Sequence, residues 1–131
     1  MGELIRLIYV SRAISTALHA KEIVRVAQLH NGEHDLTGVL IATTRLYIQA
    51  LEGASDTVHA LYQRIAKDQR HVDPRVIEVS ETDLRLWPGW SMQLLSAAHW
   101  EARTASLGID TYEHAIKSGT QICEHLYGLK R

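Results

Sequence analysis

The first apolar stretch, Leu4-Ile5-Arg6-Leu7-Ile8-Tyr9-Val10, is β-branched and aromatic and too short for an ordinary helix, so it predicts a buried strand. Ser11 to Thr16 then reads as a loop with a helix cap at Ser15 or Thr16. Ala20, Ile23, Val26, Ala27 and His30 recur at helical spacing and share one face, and Asn31-Gly32 stops that helix because both residues tolerate left-handed backbone. Leu36 to Ala42 and Leu46 to Leu51 predict two strands joined as a hairpin through Thr43-Thr44-Arg45. Ser55 is the expected cap of the next helix, in which Val58, Leu61, Tyr62 and Ile65 fall at i, i+3, i+4 and i+7. A charged stretch from Lys67 to Arg75 leads to a strand starting over Val76 to Val79, and Ser91 to Leu95 is a last short strand.

The order is β-α-β-β-α-β with an extra strand. Right-handed crossovers place both helices on one sheet face, which defines an α+β, ferredoxin-like sandwich over about residues 3–96. From Ala97 to Arg131 the pattern is helical. There Asp110 and Glu113 resemble a capping box, and Tyr112, Ile116, Gly119, Ile122, Cys123 and Leu126 mark an apolar stripe.

Composition narrows the class. A chain of 131 residues is one domain's worth, and 14 Lys+Arg against 15 Asp+Glu leave a net charge of -1, without the general basic footprint of a nucleic-acid binder. A single cysteine, Cys123, excludes an intrachain disulfide. No apolar run reaches the roughly 18–20 residues of a membrane span, and the N-terminus has no signal-peptide pattern. The expectation is a soluble, cytoplasmic protein.

Few residues point to chemistry. Gln49 shares a strand face with Tyr47 and Leu51; if that face is core, the amide needs partners, since an unpaired buried amide costs about 1–3 kcal/mol. Leu46, Ile48 and Ala50 could equally face inward, and the pattern does not choose. Tyr9, with Ile5 and Leu7, reads as a core tyrosine. His30 reads as a satisfied core histidine and Asn31 as a helix stop. His30, His34 and Asp35 suggest a metal only weakly, because Asn31-Gly32 breaks the helix and no third ligand is specified, so no metal is expected. Lys67-Asp68-Gln69-Arg70-His71 is a solvated helix end or, alternatively, an anion site. Cys123 sits on the apolar stripe and reads as core, not as a nucleophile. No Gly-rich phosphate loop, Ser-His-Asp spacing or pair of catalytic carboxylates stands out.

Five segments nevertheless share a pattern: Leu7-Ile8-Tyr9-Val10-Ser11; His30-Asn31 followed by Leu36-Thr37-Gly38-Val39-Leu40; Tyr47-Ile48-Gln49-Ala50-Leu51-Glu52-Gly53; Ile65 through Asp68-Gln69-Arg70-His71; and Trp90-Ser91-Met92. In order and spacing, over about residues 3–95, they resemble a BLUF domain, a flavin-binding blue-light sensor, of the short stand-alone type. The resemblance divides the chain into a flavin-binding domain, 1–96, and a C-terminal helical extension, 97–131. It implies noncovalent FAD, with FMN or riboflavin as substitutes, held between Ile23 and Ile65. His30 and Asn31 would take the ring's carbonyl and imide edge, Gln49 its N5 and O4, and Asp68, Arg70 and His71 would lie toward the ribityl and phosphate end.

The same resemblance implies that Tyr9 hydrogen-bonds Gln49, which hydrogen-bonds the flavin. Light then drives electron and proton transfer from Tyr9, and Gln49 ends rotated or tautomerised, with a small red shift. The signal would pass to Trp90 and Met92, with Ser11 in support. Ala42, Arg45, Leu46, Tyr47 and Ile48 depart from the family's usual residues, which touches packing rather than the photochemical core. A sensor without enzymatic turnover is therefore the leading expectation. It would act as a homo-oligomer on a separate effector protein such as a cyclic-di-GMP phosphodiesterase or a transcriptional regulator, with no nucleic acid or membrane partner. The alternatives are an acylphosphatase-type enzyme, for which Arg12 is present but the glycine-rich loop is missing, and a cofactor-free dimerisation module.

Overall fold

The first apolar stretch forms β1 (Leu4–Ala13), which runs past Val10 instead of giving way to a loop at Ser11. Its ladder explains the extra length: Ser11 pairs with Tyr47 and Arg12 with Leu46, so the strand continues for as long as its partner does. The structure is a computed structural model that describes residues 3–13, 25–28, 30, 34–43, 45–67, 71–89, 91–95, 98, 100 and 111–128, with backbone alone at Ala13 and His71. Residues 25–28 are helical. They are followed by β2 (Thr37–Ala42), β3 (Leu46–Ala54), α1 (Ser55–Ala66), β4 (His71–Glu81), β5 (Gln93–Leu95), α2 (Tyr112–Lys117) and α3 (Gly119–Tyr127).

The sheet order is β4-β1-β3-β2-β5. All neighbours are antiparallel except β2 and β5, which are parallel. This is the ferredoxin-like α+β arrangement expected, with the extra strand added at the β2 edge. Side chains alternate across it. Ile5, Leu7, Tyr9, Leu40, Tyr47, Leu51 and Met92 pack with Ala27 and with Val58, Leu61, Tyr62 and Ile65 of α1. Ile8, Val10, Val39, Ile41, Leu46, Ile48 and Ala50 pack on the other side with Trp87, Trp100 and the α2–α3 residues Ala115, Ile122, Cys123 and Leu126. Both sets in β3 are inward because both faces are covered, which is why the sequence offered two equally good faces for that strand.

Several boundaries differ from the sequence expectation. β4 begins at His71, not Val76, and takes in Asp73-Pro74. Its register with β1 slips between Ile8 and Tyr9 and again between Val10 and Arg12, and Asp73 has φ 52° at the second slip. A proline is tolerated there because β4 is an edge strand and the bulge removes the need for its missing N–H. α1 is capped by Ala54 without a side-chain hydrogen bond, so Ser55 is its first helical residue. At the C-terminus Thr111, not Asp110, is the cap, accepting from the His114 N–H at 3.2 Å. The single stripe expected there is two helices, broken at Ser118, whose N–H bonds to His114 and Ala115 close α2.

α2 is moored to the sheet by Arg12, which bonds Asp73 at 2.9 Å and Glu113 at 2.7 Å and lies 4.2 Å from the Tyr112 ring centroid. The Tyr112 hydroxyl donates to the Asp73 carbonyl at 2.6 Å. The guanidinium holds the Glu113 carboxyl below the usual carboxylate range.

Strand β2 approaches β3 so closely that a Cβ on Gly38 would lie 2.0 Å from the Ala50 carbonyl oxygen and 3.3 Å from Met92 Cε. The first neighbour is backbone in a central strand and cannot yield. Gly38→Ala is expected to destabilise the protein by about 3 kcal/mol or more, the upper range for overpacking, measured by urea unfolding. A loss below about 1 kcal/mol would contradict the packing described.

Candidate functional site

Tyr9 and Gln49 stand opposite each other on the two central strands, as register partners whose side chains point to the α1 face. Both are buried, Gln49 with 2% of its surface exposed, so its amide is satisfied inside the protein. The Tyr9 hydroxyl donates to Gln49 Oε1, and Gln49 Nε2 donates to Met92 Sδ at 3.4 Å. The two neighbours select one amide orientation. A thioether accepts but cannot donate, so it takes the NH2 end, leaving the oxygen for the tyrosine. Among the described residues these contacts use one of the amide's two donors and one of its acceptor lone pairs.

Met92 lies two positions from Leu94 and, with β5, closes the β2 edge, where Leu40 pairs with Leu94. Its carbonyl accepts from Gln28 Nε2 at 2.8 Å, so the strand is held from the residue 25–28 helix as well as from β3. The Tyr62 ring stands edge-on to Tyr9, centroids 5.4 Å apart, and burial raises the Tyr62 phenol pKa, keeping it protonated. Gln28 and Tyr62 carry no sequence signal for this site: one is a lone polar residue on a helix, the other one of four apolar-stripe positions.

A cleft of ≈ 370 Å³ opens between His30, His34 and one side of α1, lined there by Asp56, Thr57, Ala60, Leu61 and Arg64, of which Leu61 also packs against the core that holds Tyr9. Its volume is that of a small-molecule site. The His30 and His34 rings stack at 4.3 Å. Asp35, the third member of the weak metal reading, instead pairs with Arg85 at 3.2 Å. Among the described residues no group of three or more His, Cys, Asp or Glu is placed to hold a metal ion. Nor, among them, is any helix long and apolar enough to cross a membrane.

Of the residues singled out in sequence, Tyr9, Gln49 and Met92 meet directly. Ser11 is buried at the far end of β1, Ile65 packs against the same core as Tyr9, and His30 lines the cleft. Ile23, Asn31, Asp68, Arg70 and Trp90 lie outside the described residues, as does the His71 side chain.

A second buried polar cluster lies three residues along β3, on the opposite face. Glu52 is fully buried, pairs with Arg6 at 3.0 Å and accepts from Thr37 Oγ1 at 3.2 Å, Leu86 N at 2.8 Å and Trp87 N at 3.0 Å. Its place in the polar-apolar alternation does not mark it as buried, because the helices covering that face come last in the chain.

The fold is a small α+β domain whose sheet is covered on both faces, with a cleft along one side of α1. The family model for BLUF, sensors of blue-light using FAD, matches residues 4–93. The chain belongs to the BLUF family, and is a blue-light sensor module that uses a flavin. It is 34% identical over 89 residues to photoactivated adenylate cyclase subunit beta of Euglena gracilis, a match covering 66% of this chain and 10% of that protein. The chain thus spans about a tenth of the length of the curated relatives it matches. Its fold superposes on the dark-state structure of the BLUF protein BlrB with a TM-score of 0.75 at 25% identity, covering 96% of this chain and 99% of that one. It also superposes on BlrP1 of Klebsiella pneumoniae in a manganese and cyclic-di-GMP complex, TM-score 0.71 at 21% identity, covering 96% and 33%.

Cys123 is a free cysteine buried in the core. Burial, reinforced by Glu78 facing it, pushes its thiol from 9.0 up to about 12. A raised thiol pKa stabilises the fold below the unfolded value, and that contribution is lost as pH rises from about 9 through about 12. Native protein is expected to resist iodoacetamide at pH 8 and to react only when unfolded in urea. The advantage of wild type over Cys123→Ala in unfolding free energy should shrink across that alkaline window; rapid native alkylation would contradict the assignment.

Proposed function

We propose that the chain is a blue-light photoreceptor whose reading element is the Tyr9–Gln49–Met92 relay, with FAD as its chromophore and FMN or riboflavin able to substitute. The observation that carries the proposal is the buried amide held in one orientation by a donor on one side and a pure acceptor on the other. The residues present fit a flavin. The α1-side face offers apolar walls from Leu61 and Ile65, an amide with unused donor and acceptor capacity, and an adjoining cleft carrying the Arg64 guanidinium. Ile23, Asn31, Asp68, Arg70 and His71 complete the proposed site on the family pattern, and Trp90 and Ser11 its relay. When bound, a flavin supplies the blue-light absorption and accepts an electron.

The protein's own part is proton and hydrogen-bond management. The Tyr9 hydroxyl already donates to Gln49 Oε1, and burial keeps bulk water from competing for that bond. A proton reaching that oxygen ends its role as acceptor. A rotated amide would set oxygen against Met92 Sδ, two acceptors face to face, and the contact would be lost. β5 would then be held by Gln28 and its short parallel ladder to β2. The amide's orientation thereby becomes a position of β5.

The output belongs to an effector. The adenylate cyclase relatives and the cyclic-di-GMP complex of BlrP1 favour an enzyme of cyclic-nucleotide chemistry, addressed in the same polypeptide or in another. The sensor itself turns nothing over and is proposed to work as a homo-oligomer, with 1–96 holding the flavin and 97–131 forming the helical extension.

The test is reconstitution with FAD and a light-minus-dark absorption spectrum, where a reversible red shift is expected. Tyr9→Phe should keep the flavin and lose the shift, and a normal photocycle in that variant would remove Tyr9 from the proposal. In Gln49→Leu the shift should also vanish, since leucine offers no hydrogen bond. Should that variant's difference spectrum match wild type, the amide has no part in the signal.

A further inference from the structure

The segment that carries Met92 is fastened at two places, and the fastenings differ in kind. Between β4 and β5 the chain crosses the face of the sheet opposite Tyr9, with Trp87 fully buried. There Glu52 accepts from the N–H groups of Leu86 and Trp87 at 2.8 and 3.0 Å. Arg6, its register partner on β1, bonds Glu52 and also donates to the Leu84 carbonyl at 3.2 Å. Arg85 adds bonds to Thr37 Oγ1 and to the carbonyls of Glu52 and Asp35. These bonds include an anion on two amides and two guanidinium groups, roughly twice as strong as neutral ones. Five positions after Trp87, Met92 is held by a neutral amide on sulfur and by Gln28.

β3 therefore supplies both ends: Glu52 on one face and Gln49, three residues earlier, on the other. We propose that Glu52 is a positioning residue for signalling, the fixed end against which a change at Gln49 moves β5 instead of loosening the whole 84–95 segment. Arg6 extends the fixed end to the C-terminal helices, because its guanidinium lies 5.9 Å from the Trp87 ring centroid and 5.4 Å from that of Tyr127, the last residue of α3. Load on the segment is thus felt at the end of α3. This assignment rests on the photoreceptor reading above, and its test separates the two.

The experiment is residue-resolved amide hydrogen exchange on the full chain with FAD, in darkness and under blue light, with the absorption shift recorded on the same samples. In wild type, light should speed exchange at residues 93–95 while Leu86 and Trp87 stay protected, with a smaller response at the end of α3. Glu52→Gln keeps the shape but gives the two amides a single neutral oxygen. In darkness it should speed exchange at Leu86 or Trp87 by about tenfold or more, the loss of one charge-assisted bond. Its red shift should be retained, since Gln49 is on the other face, while the α3 response to light disappears. A merely structural Glu52 would not separate shift from α3 response.

The proposal is overturned if Glu52→Gln keeps wild-type protection at both amides, if it keeps the α3 response, or if light in wild type frees 86–87 as much as 93–95. Where Glu52→Gln does not fold, Arg6→Lys decides: it keeps the charge opposite Glu52 but gives up the planar contact with Tyr127, and should abolish the α3 response alone. A wild-type protein without any red shift would refute the photoreceptor reading, whereas Leu86 and Trp87 amides that exchange freely in darkness would refute the anchor.

Discussion

A sheet covered on both faces leaves no water for a polar side chain in its central strands. Such a group must find its partners within the protein or cost about 1–3 kcal/mol, more if charged. β3 carries two of them, Gln49 and Glu52, on opposite faces of the same strand. The proposed signalling rests on how those two obligations are met. Tyr9 and Met92 are brought to Gln49, and Arg6, Thr37 and the 86–87 amides are brought to Glu52.

The two solutions have different strengths. Gln49 is satisfied by neutral partners, one of them a thioether, so its contacts can be exchanged at small cost. Glu52 is satisfied by charge-assisted bonds in a dry environment, where releasing any partner leaves a charge poorly compensated. A buried ion pair contributes little net stability for its desolvation, and its value here lies in defining where the crossing segment sits. A labile contact and a firm one thus stand on the same strand, and the proposed movement of β5 rests on that difference.

The C-terminal helices make that arrangement possible. Without α2 and α3 the Glu52 face would be wet, and its bonds to Leu86 and Trp87 would compete with solvent. Arg12, bridging β1, β4 and α2 at the end of the sheet, keeps this cover in place, although its own charges are exposed and screened.

Much of this was readable from the chain alone, wherever the determining interactions are local or periodic. The strand runs, the stripe Val58-Leu61-Tyr62-Ile65 and right-handed crossovers define the ferredoxin-like sandwich, and five spaced segments single out Tyr9, Gln49 and Met92. Pairing decided what lies beyond local reach. β1 is longer than its own pattern because Tyr47 and Leu46 stand opposite Ser11 and Arg12, and β4 accepts Pro74 because an edge bulge excuses its missing N–H. The burial of Glu52 is the sharpest case, since residues more than thirty positions downstream dry its face and supply its donors. Periodicity records which side of a strand a residue occupies; whether that side is dry, and who answers a buried charge there, is settled only when distant segments pack together.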